Sequence, residues 1–316
     1  MKATTQDLAS GEACVVGHLR IGIGCMALTG LYGGIAASDA RGVLDGAIGL
    51  GFQLFDTAPL YADGQNEELI GDVVGSKADI IVSTKFGLSE DNDKKLVRDS
   101  RPSSIRASVE ASLGRLRRER IDILIQHRPD PDVDDQEVAG VVQDLIEEGK
   151  VAFFGLSGTP INRIKPMSQH CKIAVVQNEL SILSDPNSWS TPQKVGDMGA
   201  FFMAYAPVAR GLLSRQTAYA KRTADDYRSQ IKAFETPDQS VPKSLRRCIE
   251  EIASSYGVSA TAVTLGWVRS RGSNVVPIPG PRHTNHLPDL FDAATLELQA
   301  EDISMIDEVA KEFFVG

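Results

Sequence analysis

The chain has 316 residues, 42% of them hydrophobic and 24% charged, with a formal net charge of -9. That composition excludes a disordered polymer, and the acidic balance argues against a surface that neutralises a nucleic-acid backbone. No apolar run is long enough to span a bilayer and none resembles a cleaved leader, so the sequence reads as a soluble, cytoplasmic protein.

Short runs rich in β-branched and aromatic residues alternate with helical stretches along the chain. That alternation marks βαβ units around a parallel sheet. Eight strands are predicted, at 21–26, 52–56, 80–84, 121–126, 151–156, 173–177, 200–205 and 274–278. Runs such as IDILIQ and FFMAY are apolar on both faces, as in a sheet covered by helices outside and closed on itself inside. Helical spacing occupies 38–50, which Ser38 and Asp39 can cap, then 101–118, opened by Arg101-Pro102, then 133–148 and 241–256, each ending near a glycine, Gly149 or Gly257. The expected fold is a single-domain (β/α)8 TIM barrel over residues 1–316, with a long polar loop at 209–239 after the seventh strand. That loop carries Arg215, Lys221, Arg222, Asp225 and Asp226.

Several signals lead elsewhere and are set aside. Residues 22–27 fit a dinucleotide fingerprint, but the following LTGLYGGIAAS reads as a loop, one wall of a substrate pocket, rather than as a helix. The basic run Arg115 to Arg120 reads as the solvated end of a helix, and the acidic run Asp130 to Asp135 as a loop and helix cap. Cys14, Cys25, Cys171 and Cys248 are scattered without metal-ligand spacing and read as reduced thiols; His283 and His286 lack completing ligands, so no metal is expected. Trp189 reads as packing or as a substrate contact.

In a barrel the chemistry gathers at the C-terminal ends of the strands. Asp56 ends the second strand, Tyr61 follows it, Lys85 ends the third and His127 follows the fourth. A tyrosine hydroxyl, with an ordinary pKa of about 10, needs electrostatic help to give up a proton near neutrality. Lys85 can supply the charge, Asp56 can hold the lysine, and a neutral His127 can position a substrate oxygen. Such a set suits protonation of an oxygen as hydride reaches the adjoining carbon.

These residues stand in GFQLFDTAPLYADGQNEELIG, STKFG and IDILIQHRPDPDV, followed by EEGKVAFFGLSG, VVQNELS, AYAPVARGLL and PIPGPRHTNHLPDL. In that order the series resembles the aldo-keto reductases nearly end to end. The resemblance implies a catalytic tetrad of Asp56, Tyr61, Lys85 and His127. It further implies that Ser157, Gln177 and Asn178 hold the nicotinamide carboxamide, that Tyr205 stacks on the ring, and that Gly24, Cys25 and Met26 line its ribose. The backbone of Ala206, Val208, Arg210 and Gly211 is implied at the pyrophosphate, and Gly280, Arg282 and His286 at the adenosine end. Gly158, Pro281, Asp289 and Leu290 depart from the family's usual residues. Arg282 and His286 suit a 2'-phosphate, which favours NADPH over NADH. The expected reaction is reduction of a small aldehyde or ketone; the alternatives are an NAD-dependent dehydrogenase of a sugar or similar alcohol, and a cofactor-binding regulatory subunit. Loops 28–37, 88–99 and 209–239 would select the substrate.

Overall fold

The computed structural model describes residues 20–214, 226–235 and 240–314. Its first strands are β1 (Ile23–Gly24), β2 (Leu54–Asp56) and β3 (Ile81–Phe86), after which β4 (Leu88–Glu90) and β5 (Leu96–Arg98) form a separate antiparallel hairpin. The main sheet continues through β6 (Ile121–Gln126), β7 (Val151–Ser157), β8 (Ile173–Glu179), β9 (Phe201–Tyr205) and β10 (Val275–Pro277), so that eight parallel strands pair in chain order. Two backbone bonds join the first strand to the last: Gly22 N–H donates to Pro277 O at 2.9 Å and Gly24 N–H to Pro279 O at 2.8 Å. The fold is a (β/α)8 barrel. At this seam the backbones are too close for side chains: a Cβ on Gly24 would lie 2.6 Å from Ile278 O, and one on Gly280 would lie 2.9 Å from Ala27 Cβ.

The helices α1 (Ala37–Gly49), α2 (Gln65–Val74), α3 (Pro102–Leu116), α4 (Asp135–Glu147), α5 (Ile161–Met167) and α6 (Thr191–Gly196) each follow a strand of the barrel. Among the described residues four more follow: α7 (Lys243–Tyr256) and α8 (Ala260–Arg269) after β9, then α9 (Leu287–Thr295) and α10 (Ala300–Phe314) after β10. Pro102 opens α3 where no N–H is needed, and Asp134 caps α4 by accepting from Gln136 N–H at 2.7 Å. Ser38 and Asp39 lie inside α1, whose N-cap is Ala36, so they do not cap it; Asp39 instead places negative charge in the first turn.

Strand alternation divides the interior into two layers. Leu54, Ile81, Ile123, Ile125, Val175, Met203, Val276 and Ile278 fill the barrel, while Phe55, Val82, Leu124, Phe154, Val176 and Phe202 face the helices. Trp189 is a packing residue: its ring meets Trp267 edge to face at 4.9 Å, and its N–H donates to Ser184 O at 3.1 Å. No helix among the described residues is long and apolar enough to cross a membrane.

The basic run departs from the sequence reading. Arg115 donates to the buried carboxylate of Glu67 at 2.7 Å, and Arg118 pairs with Asp122 at 2.6 Å while also donating to the carbonyls of Val74, Lys77 and Ile80. A guanidinium has donors enough to satisfy a buried carboxylate and the carbonyls left over at a helix end together. Sequence spacing shows the positive charge but not the acceptors that draw it inward.

Candidate active site

The same alternation that points Leu54, Ile81 and Ile123 into the barrel points Asp56, Ser83 and Lys85 inward one or two steps further along. Asp56 pairs in register with Ser83, and Lys85 with Ile125, two residues before His127. These strands therefore fill the barrel with apolar residues and carry polar ones to the same rim at their C-terminal ends. Tyr61 arrives from the turn after β2, in a stretch where Ala62 and Asp63 take left-handed backbone angles.

Lys85 Nζ lies 2.7 Å from Asp56 Oδ2 and donates at 2.7 Å to Thr57 O. The other carboxylate oxygen of Asp56 accepts from Ser83 Oγ at 2.7 Å and from Gln177 Nε2 at 2.8 Å. Lys85 and Asp56 are 1% and 3% exposed, so they form a buried ion pair in which both carboxylate oxygens are hydrogen-bonded, the setting in which loss of one partner is most damaging. The ammonium sits 5.2 Å from the centre of the Tyr61 ring, and that ring meets His127 edge to face at 6.1 Å. The four residues predicted from the strand ends thus converge on one spot. Among the described residues, neither the Tyr61 hydroxyl nor the His127 ring nitrogens have a hydrogen-bond partner.

Burial pushes the Tyr61 hydroxyl well above its ordinary value, and the negative charge of Asp56 adds to the rise. The cation that opposes the rise most is Arg128, not the lysine that sequence reasoning assigned to this task. Asp56 cancels much of the field of Lys85 at the phenol, because the two charges are in contact. The phenol is accordingly held protonated. Burial also lowers His127 well below the usual histidine range, helped by Lys85 and Arg128, which keeps the imidazole neutral as expected. Burial lowers Lys85 as well, against the pull of Asp56.

The residues expected around a dinucleotide lie on the same rim. Ser157 and Gln177 are register partners on β7 and β8, both buried, and Asn178 Nδ2 donates to Thr159 O at 3.1 Å. Asn178 Oδ1 is buried without a hydrogen-bond partner, an acceptor that a carboxamide N–H would satisfy. The residues present therefore fit a nicotinamide. Tyr205 is half-buried at the end of β9, and the loop after it holds Ala206, Ala209 and Arg210 in left-handed backbone angles. Three such non-glycine residues in five positions are the kind of strain that gathers at ligand sites. Val208 O accepts from Gly211 N–H at 2.9 Å, and the Arg210 guanidinium is bound at both ends to Glu179, at 2.9 and 2.8 Å.

Gly24 sits at the barrel seam and Met26 is half-buried beside it, whereas the Cys25 side chain is fully buried, with its thiol on Ile23 O. Only the backbone of Cys25 is placed to meet a ligand. After β10, the Arg282 guanidinium donates to the carbonyls of Gly33 and Gly34 at 2.9 and 3.0 Å, and its backbone N–H donates to His286 Nδ1 at 3.3 Å. His286 is lowered by burial, so the charge at this end belongs to the arginine. Gly280 completes the turn, and Leu290 is buried in α9. His283 and His286 meet edge to face at 5.4 Å.

The loop at 28–37 meets the far part of the long loop: Tyr227 N–H donates to Leu31 O at 2.8 Å, and Arg228 lies 4.8 Å over the Tyr32 ring while pairing with Asp226 at 2.7 Å. Burial raises the Tyr32 hydroxyl to about 12. Arg215, Lys221, Arg222 and Asp225, also assigned to this loop, lie outside the described residues, as does Cys14.

The aldo/keto reductase family model matches residues 20–311. The chain is 28% identical to a probable aldo-keto reductase of Glycine max, over 92% of this chain and 84% of the relative. It is also 28% identical to the aldo-keto reductase str7 of Strobilurus tenacellus, over 99% and 93% of the two chains. Among solved structures, a glycerol dehydrogenase of Gluconobacter oxydans superposes with a TM-score of 0.83 at 28% identity, over 93% of this chain and 91% of that one. The chain belongs to the aldo-keto reductase family, oxidoreductases that use nicotinamide cofactors and act on small carbonyl compounds.

Proposed function

We propose that this protein reduces the carbonyl group of a small aldehyde or ketone with NADPH, with Tyr61 as the proton donor and His127, Lys85 and Asp56 as its supporting groups. One observation carries the reading: two unengaged polar tips, the Tyr61 hydroxyl and the His127 ring, stand beside a buried Lys85–Asp56 pair. The bound dinucleotide supplies the hydride that adds to the carbonyl carbon. The Tyr61 O–H bond breaks and its proton passes to the carbonyl oxygen, giving an alcohol. Neutral His127 hydrogen-bonds that same oxygen and fixes its direction. Charge left on the phenol is met by Arg128 and by the Lys85 ammonium 5.2 Å from the ring centre; Lys85 donates to Asp56 and Thr57 O, and Ser83 and Gln177 hold Asp56 in turn. Ser157, Gln177 and Asn178 would hold the carboxamide, Tyr205 would cover the ring, and the loop at 206–211 would meet the pyrophosphate.

At the adenosine end, Arg282 meets the 2'-phosphate with a guanidinium already braced by Gly33 and Gly34. Turnover of 4-nitrobenzaldehyde followed by cofactor absorbance tests the reading, with NADPH and NADH compared. Wild type should prefer NADPH, and Arg282→Ala should lose most of that preference; equal use of both cofactors by wild type would remove the phosphate assignment. The similarity to a glycerol dehydrogenase favours one second reading, oxidation of a polyol by the same groups run in reverse. Assay of glycerol with NAD+ and NADP+ separates the two.

A further inference from the structure

Arg128 follows His127 directly, and sequence reasoning gave it no role. Its Nη1 donates to His127 O at 2.6 Å and to Ser157 Oγ at 3.1 Å, and its guanidinium carbon stands 6.0 Å from the centre of the Tyr205 ring. Its Nε and Nη2 have no acceptor among the described residues, and no carboxylate there pairs with it. Three other cations near the rim are matched by carboxylates: Lys85 by Asp56, Arg210 by Glu179 and Arg228 by Asp226. Half-buried and bonded to His127 O and Ser157 Oγ, the guanidinium lies beside the reacting centre, and its charge opposes the rise at Tyr61 and adds to the lowering of His127.

The neighbouring chain is shaped to admit it. Gly158 has φ +61°, and a Cβ there would come within 2.9 Å of both Arg128 Cδ and Nη1. A side chain at 158 would press on the guanidinium, and the left-handed backbone there favours glycine in its own right.

We propose that Arg128 is a specificity-determining residue that receives an anionic group of the substrate, so that the preferred substrates are carbonyl compounds bearing a carboxylate. A guanidinium with one nitrogen anchored and an Nε–Nη2 edge left over presents two parallel donors, the geometry that binds a carboxylate at both oxygens. A chain with net charge -9 repels anions at long range, so selection for an anionic substrate requires an unmatched cation at the site itself. The inference rests on the reductase reading for the reaction but not for the binding.

The test therefore has two arms. In the first, benzoate and benzamide are titrated calorimetrically into the protein with NADP+ present. Wild type should bind benzoate at least about tenfold more tightly than benzamide, Arg128→Met should lose the difference, and Arg128→Lys should recover part of it. In the second arm, 4-carboxybenzaldehyde is compared with its methyl ester. The ratio of kcat/KM for acid over ester should fall at least about tenfold in Arg128→Met, through KM. A wild type that binds benzoate no better than benzamide, or a preference that survives in Arg128→Met, overturns the proposal. So does an Arg128→Met variant that weakens NADP+ binding while leaving the acid-to-ester ratio unchanged, since the arginine would then serve the dinucleotide. Benzoate selectivity without turnover of any aldehyde supports the anion site and counts against the reductase reading alone.

Discussion

At the scale of single residues, the site depends on charges that are buried and matched. Replacing Lys85 with Met would leave the Asp56 carboxylate 3% exposed and without its cation. Breaking such a pair costs about 3–5 kcal/mol, a loss that urea unfolding at pH 7 will show. His127 gives a second prediction. Its folded-state pKa lies well below 6.5, so between that value and 6.5 the unfolded chain binds the extra proton and stability rises with pH. Acidifying from pH 7 to pH 5 should therefore lower the unfolding midpoint. His127→Gln should flatten that fall, while His286, lowered in the same direction, accounts for part of the slope that remains.

At the scale of elements, the rim is set by strand periodicity, and that is why so much of it was legible. A parallel strand buried on both faces reads as an apolar run, and polar residues at or just past its C-terminal end mark the rim, as Asp56, Lys85 and His127 do. The strand predicted at 121–126 coincides with β6, and the others differ from the observed strands by a few residues at their ends. Contacts made across the fold were not legible. Arg118 reads as an exposed helix end until Asp122 and three carbonyls are placed around it. Arg128 reads as a loop residue until Gly158 is seen to open space for it. The hairpin of β4 and β5 was read as a plain loop, since its strands are three residues each and exposed. The seam between β1 and β10 carries its own prediction: Gly24→Ala places a Cβ 2.6 Å from Ile278 O, backbone that cannot step aside. The expected loss is about 1–3 kcal/mol by urea unfolding, with reduced dinucleotide affinity because the seam borders the rim.

At the scale of the whole molecule, a closed barrel gives rigid placement, and the loops beyond it give selectivity. Eight strands bring their C-terminal ends to one circle, so groups as far apart in sequence as Asp56 and Gln177 meet at 2.8 Å. The loops at 28–37 and 226–235 lock together above that circle through Tyr32, Asp226 and Arg228, which makes them one wall rather than two. The central claim is that this convergence makes Tyr61 an acid for a carbonyl oxygen. The most direct measurement compares wild type with Tyr61→Phe for two quantities, NADPH affinity by fluorescence titration and turnover of an aldehyde. The account predicts affinity within a few-fold of wild type and turnover lower by about two to four orders of magnitude, the range for loss of a positioned proton donor. Turnover by Tyr61→Phe close to that of wild type would contradict it.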